Sequence, residues 1–237
     1  MPHTFIRLQV SLPSGRCETV VVSQFGTVAD LKLAAQRSFG QGFLRLAASD
    51  GCLLDLADSL ELCGFQNGDS LTAVALQPKV AATWSAFALW CLGGDRVVTW
   101  GDPRYGGDSS RVQDQLRNVR QICATHHAFA AILEDGTVVT WGRPNAGGDS
   151  SRVQDQLRNT QQICHTYGAF AAILEGGSVV TWGNPDYGGD SSRVQHQLTN
   201  VQQICGTHHA FAAILADGSV VTWGHPEHGG DSSTVRH

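Results

Sequence analysis

The sequence predicts an α+β domain over residues 1–76 followed by a mostly β repeat array over residues 77–237, and three observations carry that expectation. The stretch Ala128–Gly142, AFAAILEDGTVVTWG, returns as Ala169–Gly183 and again as Ala210–Gly224. Trp100, Trp141, Trp182 and Trp223 stand 41 residues apart. Residues 1–76 lack this period and instead alternate apolar and polar residues before switching to helical spacing. A period of this length marks units that cannot bury their apolar faces alone and must stack on their neighbours.

In the first domain, Ile6, Leu8, Val10 and Leu12 alternate, Pro13-Ser14-Gly15-Arg16 reads as a turn, and Cys17 to Ser23 reads as a second, valine-rich strand. Thr27 with Asp30 forms a capping pair for a helix that places Val28, Leu31, Ala35 and Phe39 on one face, and Gly40-Gln41-Gly42 stops it. The helix is expected to cross the apolar face of the hairpin. Phe43 to Leu46 and Leu53-Leu54 read as short strands. The segment Ser59 to Phe65 then leads through Asn67-Gly68 into a last strand, Leu71 to Leu76.

In the array, AFAAIL and TVVTW read as a hairpin whose turn is Asp135-Gly136 or Asp217-Gly218, because Asp-Gly supplies the positive φ angles of a tight turn. Upstream, VRQICAT, TQQICHT and VQQICGT read as a third strand. Downstream, GGDSSRVQDQLRN offers Ser110 and Gln113 at capping-box spacing with Val112 and Leu116 a helical turn apart, which suits one short helical turn or an irregular fourth strand. VAATWSAFALWCLGGDRVVTWG, from Val80 to Gly101, follows the same template, with Gly93-Gly94 at its hairpin turn. The array therefore counts four units, 77–118, 119–159, 160–200 and 201–237, the last short of its final few residues.

The run V-x-Q-I, a small residue, His, an apolar strand, D-G and V-V-T-W-G resembles the regulator of chromosome condensation repeat, which builds β-propellers. Here GGDSS stands where that family carries G-Q-L-G, and four units stand where it commonly has seven. A closed four-bladed propeller, an open arc and a truncated ring are all compatible with the count. The first domain is similar to ubiquitin in element order and in its Leu44-Arg45-Leu46 strand, Asp50-Gly51 turn, Asp58–Phe65 segment and Asp69–Leu76 strand. The resemblance implies a built-in β-grasp domain, since the last strand runs into Gln77-Pro78 and not into a free Gly-Gly. It also implies a recognition face at Leu8, Arg45 and Thr72, with Arg45 facing outward where the ubiquitin patch carries an apolar residue.

Composition narrows the function classes. With 42% hydrophobic and 16% charged residues the chain reads as globular, and a net charge of −5 with only Lys32 and Lys79 as lysines argues against nucleic acid as a partner. No run of about 20 apolar residues suits a bilayer span, MPHTFIRLQV does not read as a signal peptide, and seven cysteines, an odd count, suit reduced thiols. The expectation is a cytoplasmic or nuclear protein with no membrane partner and no cofactor.

No catalytic constellation is legible. Cys123, Cys164 and Cys205 recur beside a strand isoleucine, where thiols pack as small apolar residues. His126-His127 and His208-His209 invite a metal reading, but the equivalent positions hold Trp84-Ser85 and Tyr167-Gly168, and structural turn residues are expected. The glycine pairs Gly106-Gly107, Gly147-Gly148, Gly188-Gly189 and Gly229-Gly230 lack the lysine of a phosphate loop. The tryptophans are expected at contacts between units. The loops after them vary, DPRY, RPNA, NPDY and HPEH, so Asp102, Arg104, Tyr105, Arg143, Asn145, Asp186, Tyr187, His225, Glu227 and His228 are the expected partner-binding rim. The expected function is a non-enzymatic adaptor linked through its first domain to ubiquitin receptors or ubiquitin-ligase machinery. The alternatives are an exchange-factor-like regulator of a small GTPase and a fragment of a larger ubiquitin ligase.

Overall fold

The computed structural model describes residues 5–94 and 96–233, so Met1–Thr4 of the opening segment and 234–237 of the fourth unit lie outside the described residues. The chain divides into two compact units, Met1–Pro78 and Lys79–His237.

The first unit is a β-grasp. Strands β1 (Phe5–Ser11) and β2 (Cys17–Ser23) pair antiparallel, helix α1 spans Val28–Phe39, and β3 (Leu44–Ala47) and β4 (Ser70–Ala75) complete a sheet of order β2-β1-β4-β3. The central pair, β1 with β4, is parallel. The turn at Gly15 has φ 88°, and Leu12 N–H donates to the Arg16 carbonyl across it at 2.8 Å. Thr27 and Asp30 form a reciprocal capping box, and Gly40 ends the helix in the left-handed region at φ 65°. Val28, Leu31, Ala35 and Phe39 are all buried, against Ile6, Leu8, Val10, Val20, Leu46 and Leu71 of the sheet. The expected strand at Leu53-Leu54 is only a single bridge, Ala47 to Leu53. Asp50 takes the Cys52 N–H at 2.8 Å and Gly51 turns at φ 87°, which leaves too little extended chain for a ladder.

The second unit carries four sheets of three strands. They are β5–β7 (Pro78–Ala82, Ala86–Cys91, Val97–Gly101), β8–β10 (Val119–Ala124, Ala128–Leu133, Val138–Gly142), β11–β13 (Thr160–His165, Ala169–Leu174, Val179–Gly183) and β14–β16 (Val201–Gly206, Ala210–Leu215, Val220–Gly224). Asp135-Gly136 and Asp217-Gly218 make the expected hairpin turns, each aspartate accepting the N–H two residues on at 2.9 Å.

The weak fourth element is not a fourth strand but the other expected form, one short helical turn, here a 3-10 turn at Gln113–Gln115; a further 3-10 turn, Pro103–Tyr105, precedes it in the loop after the tryptophan. Its anchoring serine is Ser109, one residue before the expected Ser110. Ser109 Oγ donates to Gln113 Oε1 at 2.9 Å and contacts Thr99 Oγ1, while Gln113 Nε2 donates to the Val97 carbonyl at 3.1 Å. A glutamine side chain thus fastens the connector to the third strand, where a fourth strand would have used its backbone. Ser150 with Gln154 and Ser191 with Gln195 repeat the arrangement.

Successive units share cores. The second strand of each unit offers Phe129, Phe170 or Phe211 to the unit before it, stacked on Trp141, Trp182 or Trp223 of its own third strand with centroids 5.1–5.2 Å apart. Each indole N–H then donates at 3.0 Å to a glycine carbonyl of the preceding connector, Gly106, Gly147 and Gly188 in turn. These glycines explain why the pairs occur. At Gly147 φ is 97°, and a Cβ would lie 2.5 Å from the Phe170 ring, so only glycine allows both the turn and the ring.

Candidate functional site

The strongest surface feature of the array lies at the turns between the first and second strands of each unit. Thr83, Thr125, Thr166 and Thr207 each hold such a turn, the hydroxyl contacting the carbonyl three residues on. The tip residues that follow are Trp84, His126, Tyr167 and His208. Their backbones form a relay between units: Trp84 N–H donates to the His126 carbonyl, His126 N–H to that of Tyr167, and Tyr167 N–H to that of His208, at 3.0–3.1 Å. The side chains follow as a continuous seam, with Trp84–His126, His126–Tyr167 and Tyr167–His208 centroids 5.6, 4.3 and 5.3 Å apart.

A second row flanks it. The same threonine hydroxyls donate to the carbonyls of Tyr105, Ala146, Tyr187 and His228, which draws the variable loop onto the turn. Tyr105 stacks on His127, Tyr187 on Tyr167 and His209, and His228 on His209. In the first three units sizes compensate across this contact, whereas the fourth pairs two rings, His209 and His228. Tyr105 goes with Ser85, Ala146 with His127 and Tyr187 with Gly168, whose Cβ would already touch the Tyr187 ring at 3.4 Å. Part of the loop variation is therefore packing: every unit contributes a ring, from the tip or from the loop.

The expected rim divides. Tyr105, Tyr187 and His228 join the seam, with His225 beside His228 at 4.7 Å between centroids. Asn145 lines a groove of about 730 Å³ between the second and third units, Asp186 and His225 line its counterpart of about 630 Å³ between the third and fourth, and Arg104 and Arg143 line a cleft of about 450 Å³. Asp102 caps its own 3-10 turn and pairs with Arg104 at 2.7 Å, which holds its carboxyl below the usual range. Glu227 is exposed. Sequence reading set aside Trp84, His126, Tyr167 and His208, the spine of the seam; their recurrence at one turn position was the available signal.

Three imidazoles, His126, His127 and His209, are held below the usual histidine range. His126 is pushed down first by burial and then by His208 and His165, His127 by burial, Arg143 and His126, and His209 by burial, His228, His208 and His225. His126 stacks on Tyr167, His127 on Tyr105, and His209 on Tyr187 and His228. Among the described residues no three His, Cys, Asp or Glu side chains converge as metal ligands would. Burial pushes the Cys123 thiol up to about 11 and raises Cys164, whereas Cys205, at the matching position of the fourth unit, is exposed, contrary to the expected packed thiol.

In the first unit the expected recognition face needs one correction. Leu8 is fully buried: it alternates inward with Ile6 and Val10 under α1. Arg45 and Thr72 are half-buried on the opposite face, Arg45 directly across from the exposed Val74. Arg7, paired with the exposed Val21, takes the place assigned to Leu8.

No family model matches the sequence, and no curated relative does. Solved structures similar to the chain include repeat proteins and ubiquitin-like domains. Human WBSCR16 is 17% identical over 65% of this chain and 51% of that one, TM-score 0.43. Prp20p from Saccharomyces cerevisiae, described with its binding to Gsp1p and histones, is 16% identical over 62% and 43%, TM-score 0.42. Caldiarchaeum subterraneum ubiquitin is 17% identical over 30% and 94%, TM-score 0.29. The chain spans about half the length of the repeat proteins it matches. No helix among the described residues is long and apolar enough to cross a membrane.

Proposed function

We propose that this chain is a non-enzymatic protein-binding adaptor of the cytoplasm or nucleus, in which the seam of the array holds one polypeptide and the β-grasp unit engages ubiquitin-recognising machinery. The observation that carries the reading is the seam itself. Stacked rings held by an unbroken backbone relay form a preorganised surface, and rigid aromatic side chains bind at low entropic cost. Fusion of two binding units raises the effective concentration of one partner for the other. At Cys123 burial raises the thiol to about 11, which makes it a poor nucleophile.

The test is a titration of the isotope-labelled chain with a ubiquitin-receptor motif, followed by amide signals. Saturable shifts around Arg7, Arg45, Thr72 and Val74 are expected. No shifts at millimolar motif would remove the ubiquitin link and leave the seam as the only binding surface. Accelerated nucleotide release from a small GTPase at substoichiometric chain would overturn the non-enzymatic reading in favour of an exchange factor.

A further inference from the structure

The two ends of the array expose what its interior buries. At the first unit, Val80, Phe87, Val98 and Trp100 are 60%, 44%, 53% and 45% exposed, whereas their counterparts in the second unit, Ile122, Phe129, Val139 and Trp141, are 6%, 0%, 7% and 4% exposed. At the fourth unit, Ile214 and Val220 are 40% and 46% exposed, whereas Ile173 and Val179 of the third are 6% and 2% exposed. Phe87 stacks on Trp100 at 5.2 Å, the same pair geometry that the interior units present to their neighbours.

The faces are also complementary. Within the array, Phe211 and Trp223 seat against Ala169, Ala171, Ile173 and Val179. The fourth unit repeats that surface residue for residue as Ala210, Ala212, Ile214 and Val220, while the first unit supplies the Phe-Trp pair that such a surface receives. The polar groups match as well. The indole N–H groups of Trp141, Trp182 and Trp223 each find a connector glycine carbonyl, and Gly229 is the glycine that stands at this position after the fourth unit. The tip relay runs from Trp84 to His208 and would continue from the His208 N–H to a Trp84 carbonyl.

We propose that a second copy of this chain docks head to tail, the Phe87–Trp100 face of one copy on the Ala212–Ile214–Val220 face of the next. The interface is heterologous, so it closes into a ring where the rotation permits and otherwise extends copy by copy. This is independent of the adaptor reading.

Sedimentation velocity across the micromolar range tests it, using the whole chain, Trp100→Glu and Ile214→Glu. Both positions are solvent-exposed, and far-UV circular dichroism should match the wild type. The wild type is expected to gain mass with concentration, and either variant alone to need at least about tenfold more protein for the same association. A 1:1 mixture keeps one intact head and one intact tail, and should form a two-copy species and nothing larger. A monomeric wild type, a variant that associates like the wild type, or a mixture that stays monomeric would each overturn the proposal.

Discussion

Thr160 tests how the array treats a buried polar atom. It opens β11, is fully buried, and its hydroxyl has no hydrogen-bond partner. At the same register, opposite Leu133 and Leu215, the second and fourth units carry Val119 and Val201, both buried. A buried hydroxyl without a partner costs about 1–3 kcal/mol, and valine has nearly its shape. Thr160→Val should therefore stabilise the array by about 1–2 kcal/mol. All six tryptophans lie in the array, at Trp84, Trp90, Trp100, Trp141, Trp182 and Trp223, so intrinsic fluorescence reports its unfolding without interference from the β-grasp unit. With a urea slope of roughly 2–3 kcal/mol per molar, the midpoint should rise by roughly 0.5 M at unchanged slope. A midpoint that stays or falls at constant slope would show that the hydroxyl is satisfied in solution and that the reasoning fails.

Other substitutions probe the junctions. Gly147→Ala drives a Cβ into the Phe170 ring in a left-handed conformation and should cost at least about 2 kcal/mol; Gly176→Ala, which meets open space at its hairpin, should be neutral or slightly stabilising in the same urea assay. Trp182→Phe leaves the Gly147 carbonyl without its indole donor and should cost about 1–3 kcal/mol, read as a lowered fluorescence midpoint. The seam gives a pH signature. His126, His127 and His209 titrate lower in the folded chain than unfolded, so above about pH 6.5 they contribute no pH dependence. As pH falls below that value the unfolded state binds more protons, and stability should drop toward the folded values. Thermal melts from pH 7.5 to 5 check this, and His126→Gln should flatten the slope.

Local periodicity determined much of this protein. The capping box at Thr27 and Asp30, the inward face of α1, the three strands of each unit and the Asp-Gly turns all follow from residues within a few positions of one another, which is the range over which propensity and spacing act. What depended on neighbours brought together from distant sequence was decided only by the tertiary structure. The connector took the helical turn and not the fourth strand, the two forms its residues allowed, with Gln113 reaching the Val97 carbonyl 16 residues back. The stacked tips at His126, Tyr167 and His208 come from separate units, so no local pattern shows that their rings touch. Leu8 was misplaced from alternation that already turned it inward, and packing under α1 settles it. Identical sequences at Ile173 and Ile214 differ in exposure for the same reason: burial belongs to the contact between units, and a repeat does not carry its neighbour in its own residues.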